Sequence, residues 1–142
     1  MKNISKFLLV FIFLAPFAYA DEVEEGLKAL NRGDYKTAFE IWKPLAEKGN
    51  STAQFNLGLM YDKGDGVRQN FPKAVKWYRL AAKQRNVSAQ FNLGFMYYNG
   101  EGVARDYERA LKWYLYAARQ GNIGAQFNLG WMFDKGEGVT SN

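Results

Sequence analysis

The sequence predicts an all-α fold: an α-solenoid of antiparallel helix pairs, repeated every 36 residues and wound into a right-handed superhelix. Three observations predict it. The motif Ala-Gln-Phe-Asn-Leu-Gly starts at Ala53 and returns at Ala89 and Ala125, 36 residues later each time. A glycine-rich turn follows each copy, and an apolar stripe with helical period follows the first two turns. Such self-similarity is the signature of stacked repeat units, and right-handed winding is the expectation for this class.

The first 20 residues have the pattern of a secretory signal peptide. Lys2 and Lys6 give a positive start, residues 7–17 form an apolar run, and Ala20 ends a small-x-small cleavage site. This order is typical of a cleavable signal. The run is also too short for a membrane anchor, which needs about 20 apolar residues. We therefore expect cleavage after Ala20, a periplasmic or secreted location in a bacterium, and no stable membrane span afterwards.

Residues 21–142 form one predicted repeat domain. Its units are a diverged first unit, 21–49, two full repeats, 50–85 and 86–121, and a partial repeat, 122–142. The chain has no Cys, so its stability must come from buried apolar area, for which its 48% hydrophobic residues provide the material. Removal of the signal peptide takes away two lysines and lowers the net charge from +5 to 17 − 14 = +3, which is too mild to indicate nucleic acid as a partner.

Each unit begins with a helix that we name helix A. In the second unit, Ala53, Leu57 and Met60 form one apolar stripe of a 3.6-residue period. Asn50 is placed to accept the free backbone N–H groups of the first turn. Gly64 is placed to end the helix, since glycine takes the left-handed conformation that helix ends often need. The later units repeat these residue types at the same register.

The second helix of each unit, helix B, starts after a capping side chain and ends at a glycine in two units. The predicted caps are Asp34, Asn70 and Asp106, and the predicted closing glycines are Gly49 and Gly121. Arg85 takes the place of the glycine in the middle unit. In that unit, the stripe that we expect to face inward is Ala74, Trp77, Tyr78, Ala81 and Ala82.

Glycines also occur in the middle of helix A, where they cost up to about 1 kcal/mol relative to Ala. Gly58 and Gly94 share one register, as does their counterpart in the last unit. A cost repeated at one register indicates close contact with a neighbouring helix. We expect Trp77 and Trp113 to be buried against Gly58 and Gly94, with the aligned Ile41 in this role in the first unit.

The residue types argue against an enzyme. The chain has no His and no Cys, which removes imidazole bases, thiol nucleophiles and the common zinc ligands. Asp65, Glu101 and Glu137 each lie between two glycines, but one carboxylate per turn is far from the six to eight oxygens that calcium prefers. We therefore expect a non-enzyme with no cofactor and no metal.

The repeat resembles the Sel-one-like repeat family, a branch of the tetratricopeptide superfamily. The residues that carry the resemblance in the second unit are Ala53, Leu57, Gly58, Tyr61, Gly64, Gly66, Val67, Ala74, Trp77, Ala81 and Ala82. The resemblance implies an adaptor or scaffold that binds a protein or peptide, with exported bacterial members serving the envelope or host interaction. Some cysteine-rich members are described as hydrolases of β-lactam or cell-wall substrates. This alternative function lacks its cysteines here, and a nitrocefin assay would test it.

The resemblance also implies a concave groove along the A helices that binds extended peptides. The candidate partner-binding residues are Phe55, Leu59, Asp62, Phe91, Phe95, Tyr98, Phe127, Trp131 and Asp134. These side chains could instead stack one unit on the next. Both interpretations hold if the first aromatic of each helix A stacks while Leu59, Phe95 and Trp131 reach the groove. We then expect these three to be more exposed than the leucines two positions before them.

The last unit ends after its helix A and its turn, at Thr140 to Asn142. Terminal repeats normally replace apolar residues on their outer face by polar ones, yet this helix keeps Trp131 and Phe133. Either the chain is a piece of a longer array, or this apolar edge docks onto another chain. Both alternatives predict self-association through the last helix.

Overall fold

The computed structural model describes residues 19–139, which form seven α-helices and no strand. Helix α1 is helical through 19–31. The others are α2 (Tyr35–Glu47), α3 (Ser51–Lys63), α4 (Phe71–Lys83), α5 (Val87–Asn99), α6 (Tyr107–Arg119) and α7 (Ile123–Lys135). The odd-numbered helices are the A helices and the even-numbered ones the B helices. The predicted all-α array of helix pairs is therefore confirmed.

Each helix from α2 onward packs on the next one along the chain, so that the units stack in a row. The buried apolar side chains form two clusters. The first joins α1, α2 and α3 around Trp42 and Leu57. The second joins α4 to α7 around Tyr78 and Tyr114. The second cluster underlies the surface at which we place the candidate site.

The predicted caps are found at every described helix start. The Asn50 side chain accepts a hydrogen bond from the Ala53 N–H at 2.9 Å, and its counterparts in the later units do the same. Asp34, Asn70 and Asp106 cap the B helices in the same way. Gly64 ends its helix in the left-handed conformation, with φ 78°. These side chains fix the helix boundaries locally, which is why the sequence could predict them.

The aromatic side chains beside the mid-helix glycines are tyrosines, so the prediction for Trp77 and Trp113 is wrong. A Cβ on Gly58 would lie 2.5 Å from the ring of Tyr78, and a Cβ on Gly94 would lie 2.8 Å from that of Tyr114. Both tyrosines are buried, whereas both tryptophans are half-buried. Neighbouring helix positions differ by about 100° around the axis, so that only one residue of each Trp-Tyr pair can face the glycine.

In the first unit, a tryptophan instead of a tyrosine packs on the mid-helix glycine. Trp42 occupies the register of the tyrosines and is fully buried, while Ile41, which we expected in this role, is half-buried. The indole packs directly over Gly26, where a Cβ would clash with it. Its Nε1–H donates a hydrogen bond to the Val23 carbonyl at 3.3 Å. The prediction of Ile41 is therefore wrong for the same reason as that of the later tryptophans.

The second glycine of each Gly-x-Gly turn connects neighbouring units. A Cβ on Gly66 would lie 2.5 Å from the Cβ of Tyr35, and one on Gly102 would lie 2.5 Å from the carbonyl carbon of Phe71. Both glycines also have positive φ. Each turn therefore packs on the first residue of the preceding B helix, at a distance that only glycine allows.

Some predictions concern residues that the structure does not describe. Most of the predicted signal peptide, residues 1–18, and the last residues, 140–142, lie outside the described range. Helix α1 includes residues 19 and 20, on the N-terminal side of the predicted cleavage point. Within residues 19–139, no helix combines the length and the apolar character needed to cross a bilayer.

Candidate partner-binding groove

An open cavity of about 320 Å³ lies between α5 and α7. Its lining residues are Phe95, Tyr98, Asn99, Tyr114, Phe127, Asn128, Trp131 and Met132. Four of the nine predicted binding residues therefore come together in one place: Phe95 and Tyr98 from α5, and Phe127 and Trp131 from α7. The other five predicted residues do not line it. We call this cavity the aromatic groove.

The side chains predicted to reach the groove are more exposed than the leucines two positions before them. Phe95 is 44% exposed and Trp131 is 50% exposed, and Leu59, at the same register of α3, is half-buried. The leucines two positions earlier, such as Leu93, are all buried. The expected difference in exposure is thus confirmed. Adjacent exposed aromatics are costly in water, and such patches mark interaction sites more often than single exposed residues do.

The first aromatic residues of the three A helices differ from our expectation in what they pack against. Phe55 and Phe91 are half-buried against Tyr78 and Tyr114, with ring centroids 5.9 and 5.8 Å apart. Both rings pack on the B helix of their own unit, whereas we expected them to stack on the next unit; Phe91 also reaches α7 of the next unit. Phe127 is 72% exposed, so the expectation that it stacks is wrong. Its counterparts stack on a B helix that follows them, and no B helix follows α7 within the described residues.

The predicted acidic residues differ in their surroundings. Asp62 is half-buried and accepts a hydrogen bond from the Tyr78 hydroxyl at 2.9 Å. Asp134, at the same register in α7, is exposed. At that register α5 has Tyr98, whose hydroxyl donates to the Glu137 carboxylate at 2.9 Å, a bond that raises the pKa of Tyr98. Asp62 therefore holds a neighbouring helix in place, whereas Tyr98 connects the groove to the turn after α7.

Buried phenols lie beneath the exposed aromatics. Burial raises the pKa of Tyr114 to about 12, and burial together with the Asp62 carboxylate raises that of Tyr78. The side chain of Asn128 acts in the opposite direction and lowers the pKa of Tyr114. These tyrosines stay neutral at physiological pH, so they can pack beside apolar groups and still use their hydroxyl groups.

The surroundings of the repeated asparagine of helix A depend on which aromatic residue the preceding B helix carries. Asn92 lies beside the phenol of Tyr78, and its side chain lowers the pKa of that phenol. Asn56 is the same position one unit earlier, and there the preceding B helix carries Trp42, which has no hydroxyl group. The Nδ2 group of Asn56 is buried and has no hydrogen-bond partner in the described part of the chain. Replacing tyrosine by tryptophan therefore leaves this amide unsatisfied.

Sequence reasoning missed a set of glutamines that joins the units. Gln54 and Gln90 are buried, and each donates from Nε2 to a carbonyl at the end of the preceding B helix, at 3.1 Å. Gln84 and Gln120, at the end of the following B helices, donate in turn to Gln54 and Gln90 at 2.9 and 2.7 Å. Each of these backbone carbonyls also accepts a backbone N–H from the turn that follows, so the glutamine adds a second hydrogen bond at the helix C-terminus. The recurrence of both glutamines every 36 residues was the available signal.

Titratable groups in the described residues do not form a metal centre. No group of three or more His, Cys, Asp or Glu side chains in residues 19–139 could hold a metal ion. Among the turn carboxylates, Glu137 is engaged by Tyr98. The site therefore consists of aromatic and amide groups, which suit the binding of side chains and backbone amides.

A stack of helix pairs with an exposed aromatic groove defines a helical-repeat protein. The sequence profile of the Sel1 repeat matches residues 15–50, 51–86, 87–122 and 123–142. The chain belongs to the Sel1 repeat family. Sel1 repeat proteins are protein-interaction scaffolds, and their fold is generally a non-catalytic binding module.

Solved structures and curated sequences include longer relatives. The crystal structure of c5321, a protective antigen of uropathogenic Escherichia coli strains with an SLR fold, is 40% identical with TM-score 0.82; the match covers 89% of this chain and 28% of that one. A Sel1 repeat protein from Oxalobacter formigenes is 34% identical with TM-score 0.79, over 84% of this chain and 49% of that one. DAP3-binding cell death enhancer 1 of Rattus norvegicus is 38% identical over 50 residues, 35% of this chain and 10% of the rat protein. The chain thus spans less than half of each relative.

Proposed function

We propose that this chain is an exported adaptor or scaffold of the bacterial envelope or secreted space, which binds a protein or peptide partner in the aromatic groove. The observation that carries the proposal is the exposure of Phe95, Phe127 and Trp131 around one cavity. Clustered aromatic side chains at the centre of a contact surface supply most of the binding energy in known interfaces. A partner that covers them removes the cost of exposing them to water.

The polar groups of the groove favour a peptide with apolar side chains. Asn99 and Asn128 line the cavity beside the aromatic rings. Their side-chain amides can both donate and accept hydrogen bonds, which matches the alternating groups of a peptide backbone. The aromatic rings then bind one or two apolar side chains of that peptide. The preferred partner segment is therefore extended and carries an aromatic or aliphatic residue.

Export rests on the signal-like first 20 residues. If cleavage follows Ala20, the mature chain begins with Asp21 and Glu22, and acidic groups stabilise the N-terminus of a helix. The first buried apolar side chain of the remaining helix is Val23, and among the described residues cleavage removes only the half-buried Tyr19 from the first core cluster. Intact-mass measurement of the protein from a periplasmic fraction should give a chain that starts at Asp21. A chain that retains Met1 would contradict export by cleavage.

Peptide selection tests the groove. Peptides are selected from a random library on the wild-type protein, and their affinities are then measured for two variants. Phe95→Asp places a charge in the groove and should weaken binding at least tenfold. Leu80→Asp is the matched control, since Leu80 lies on α4, is 38% exposed and does not line the groove. Equal affinities for wild type and a folded Phe95→Asp variant would refute the proposed site.

We also propose that the protein self-associates through α7. This helix leaves Ile123, Phe127, Trp131 and Phe133 exposed, which is costly for a monomer in water. Sedimentation at tens of micromolar should show a concentration-dependent increase in mass, and an appended polar capping helix should abolish it. A clean monomer whose stability does not rise on addition of that helix would contradict this proposal.

A further inference from the structure

A second cleft, of about 610 Å³, lies where the turn between α4 and α5 faces α6. Its lining residues are Ala82, Lys83, Arg85, Gln90, Lys112, Trp113, Tyr116, Arg119 and Gln120. None of them lines the aromatic groove, so the two sites are separate. Four of the nine are cationic and none is acidic. We call this site the basic cleft.

The positive charges of the basic cleft are not neutralised by the protein. None of its four cations forms an ion pair with a carboxylate of residues 19–139, whose ion pairs involve Lys28, Lys36 and Arg109. The charges are also spread out. Lys112 and Arg119 are seven positions apart on α6, which separates their backbones by about 10 Å along the helix axis. A single small anion cannot contact both ends, whereas an extended ligand can.

Arg85 occupies a backbone position that favours glycine. Its φ is +67°, and among the described residues it is the one residue other than glycine that has a positive φ. At the same register the first and third units have Gly49, with φ +97°, and Gly121, with φ +89°. An arginine in this conformation costs stability relative to glycine, because its Cβ crowds the backbone. Strained residues of this kind concentrate at functional sites.

The basic character of the cleft is not a consequence of the repeat. The same positions one repeat earlier keep Lys76 and Trp77 in place of Lys112 and Trp113. The charge of Arg119 is also kept, because the aligned residue is a lysine. Three other positions differ in character: Lys83, Arg85 and Tyr116 of the basic cleft correspond to Glu47, Gly49 and Leu80. The earlier set has a net charge of +2 − 1 = +1, against +4 in the basic cleft. The fold therefore accommodates either set of residues, and the chain itself provides a less charged template for the cationic one.

One side of the basic cleft is aromatic. Trp113 is half-buried and Tyr116 is 40% exposed, and their rings meet edge to face with centroids 5.6 Å apart. Gln90 lines the cleft as well, and its amide is already bonded to Ala82 and Gln120. The site therefore offers an apolar aromatic surface next to spread positive charge.

We propose that the basic cleft binds an acidic peptide segment. Two carboxylates about three residues apart in an extended chain are about 10 Å apart, since each residue advances the chain by roughly 3.3 Å. This spacing matches that of Lys112 and Arg119 along α6. An aromatic or apolar residue between the carboxylates packs on Trp113 and Tyr116. The inference does not depend on the aromatic groove, because the two sites share no residue.

Fluorescence anisotropy with a defined probe tests this proposal. The probe is a fluorescein-labelled peptide, Glu-Gly-Tyr-Glu-Gly-Tyr-Glu, and its control has Gln in place of every Glu. The triple variant Lys83→Glu, Arg85→Gly, Tyr116→Leu copies the residues of the preceding repeat and should therefore fold. It should bind the probe at least tenfold more weakly than wild type. Binding to wild type should weaken as NaCl rises, because exposed charges are screened.

Two further variants keep the test independent of folding and of the groove. Arg85→Gly alone should weaken probe binding several-fold while raising the thermal midpoint, since glycine fits this φ. Phe95→Ala should leave probe affinity within twofold of wild type. The proposal is overturned if the triple variant and Arg85→Gly both bind as wild type does, or if the Gln peptide binds equally well. Tighter binding of a single-stranded DNA oligomer of equal charge would also overturn it.

Discussion

Helices α5 and α7 carry the same Ala-Gln-Phe-Asn-Leu-Gly motif, the same asparagine cap and the same closing glycine, yet their surfaces differ. In α5, Tyr97 is 4% exposed and a Cβ on Gly94 would meet the Tyr114 ring. In α7, the aligned Phe133 is 54% exposed, and a Cβ on Gly130 would meet nothing within 4 Å. The motif is therefore sufficient for a helix with one apolar face. Whether that face is buried depends on the B helix that packs on it.

The largest effect that we expect concerns the residue that covers α5. Tyr114→Ala should cost about 3–5 kcal/mol of unfolding free energy, the usual range for removing a buried aromatic ring. Trp113→Ala, one position earlier, should cost only about 1–2 kcal/mol, because the indole is half-buried. Urea melts of both variants measure the difference. A greater loss for Trp113→Ala would show that tryptophan faces the glycine after all.

The two mid-helix glycines should respond to alanine with opposite signs. Gly94→Ala forces a methyl group into the Tyr114 ring and should destabilise the protein by about 1–3 kcal/mol. Gly130→Ala meets open space and should stabilise it by up to about 1 kcal/mol, since alanine favours the helix more than glycine does. Thermal and urea melts of this matched pair sharpen the comparison between α5 and α7. Two changes of the same sign would contradict it.

Alkaline pH should weaken the covered helix through the same tyrosine. The pKa of Tyr114 is about 12 in the fold and near 10 in the unfolded chain, so the folded state holds this proton more tightly. The free energy of unfolding that the neutral phenol contributes is therefore fully present below pH 10. It is lost as the pH rises towards 12, at up to about 1.4 kcal/mol per pH unit. The stability of Tyr114→Phe should fall less steeply than that of wild type over this range. Parallel pH profiles would count against the buried phenol.

Local features were predictable from the sequence because their causes are local. The caps Asn50 and Asp34 and the closing Gly64 act within a few residues of themselves, and all three were predicted correctly. The row of exposed side chains at the register of Phe95 followed from helical spacing. Adjacent residues such as Trp113 and Tyr114 both border the apolar stripe, so periodicity alone did not show which one faces the glycine.

Features that join residues far apart in the sequence were harder to predict from it. The buried Gln90 bonds to Ala82 and Gln120 only because three helices meet there, and no spacing rule within one helix indicates it. The basic cleft likewise combines the end of α4 with the outer side of α6. Its strained Arg85 was visible as an exception to the glycine pattern, but its neighbours emerged only in the fold.

The central claim, that partners bind in the aromatic groove, has a direct reporter in Trp131. A peptide selected on the wild-type protein should shift the tryptophan emission to shorter wavelength and protect it from iodide quenching, as the half-exposed indole leaves water. This response should persist in Trp113→Phe and vanish in Trp131→Phe. The opposite result, with the signal lost in Trp113→Phe and kept in Trp131→Phe, would place the partner in the basic cleft and contradict the claim.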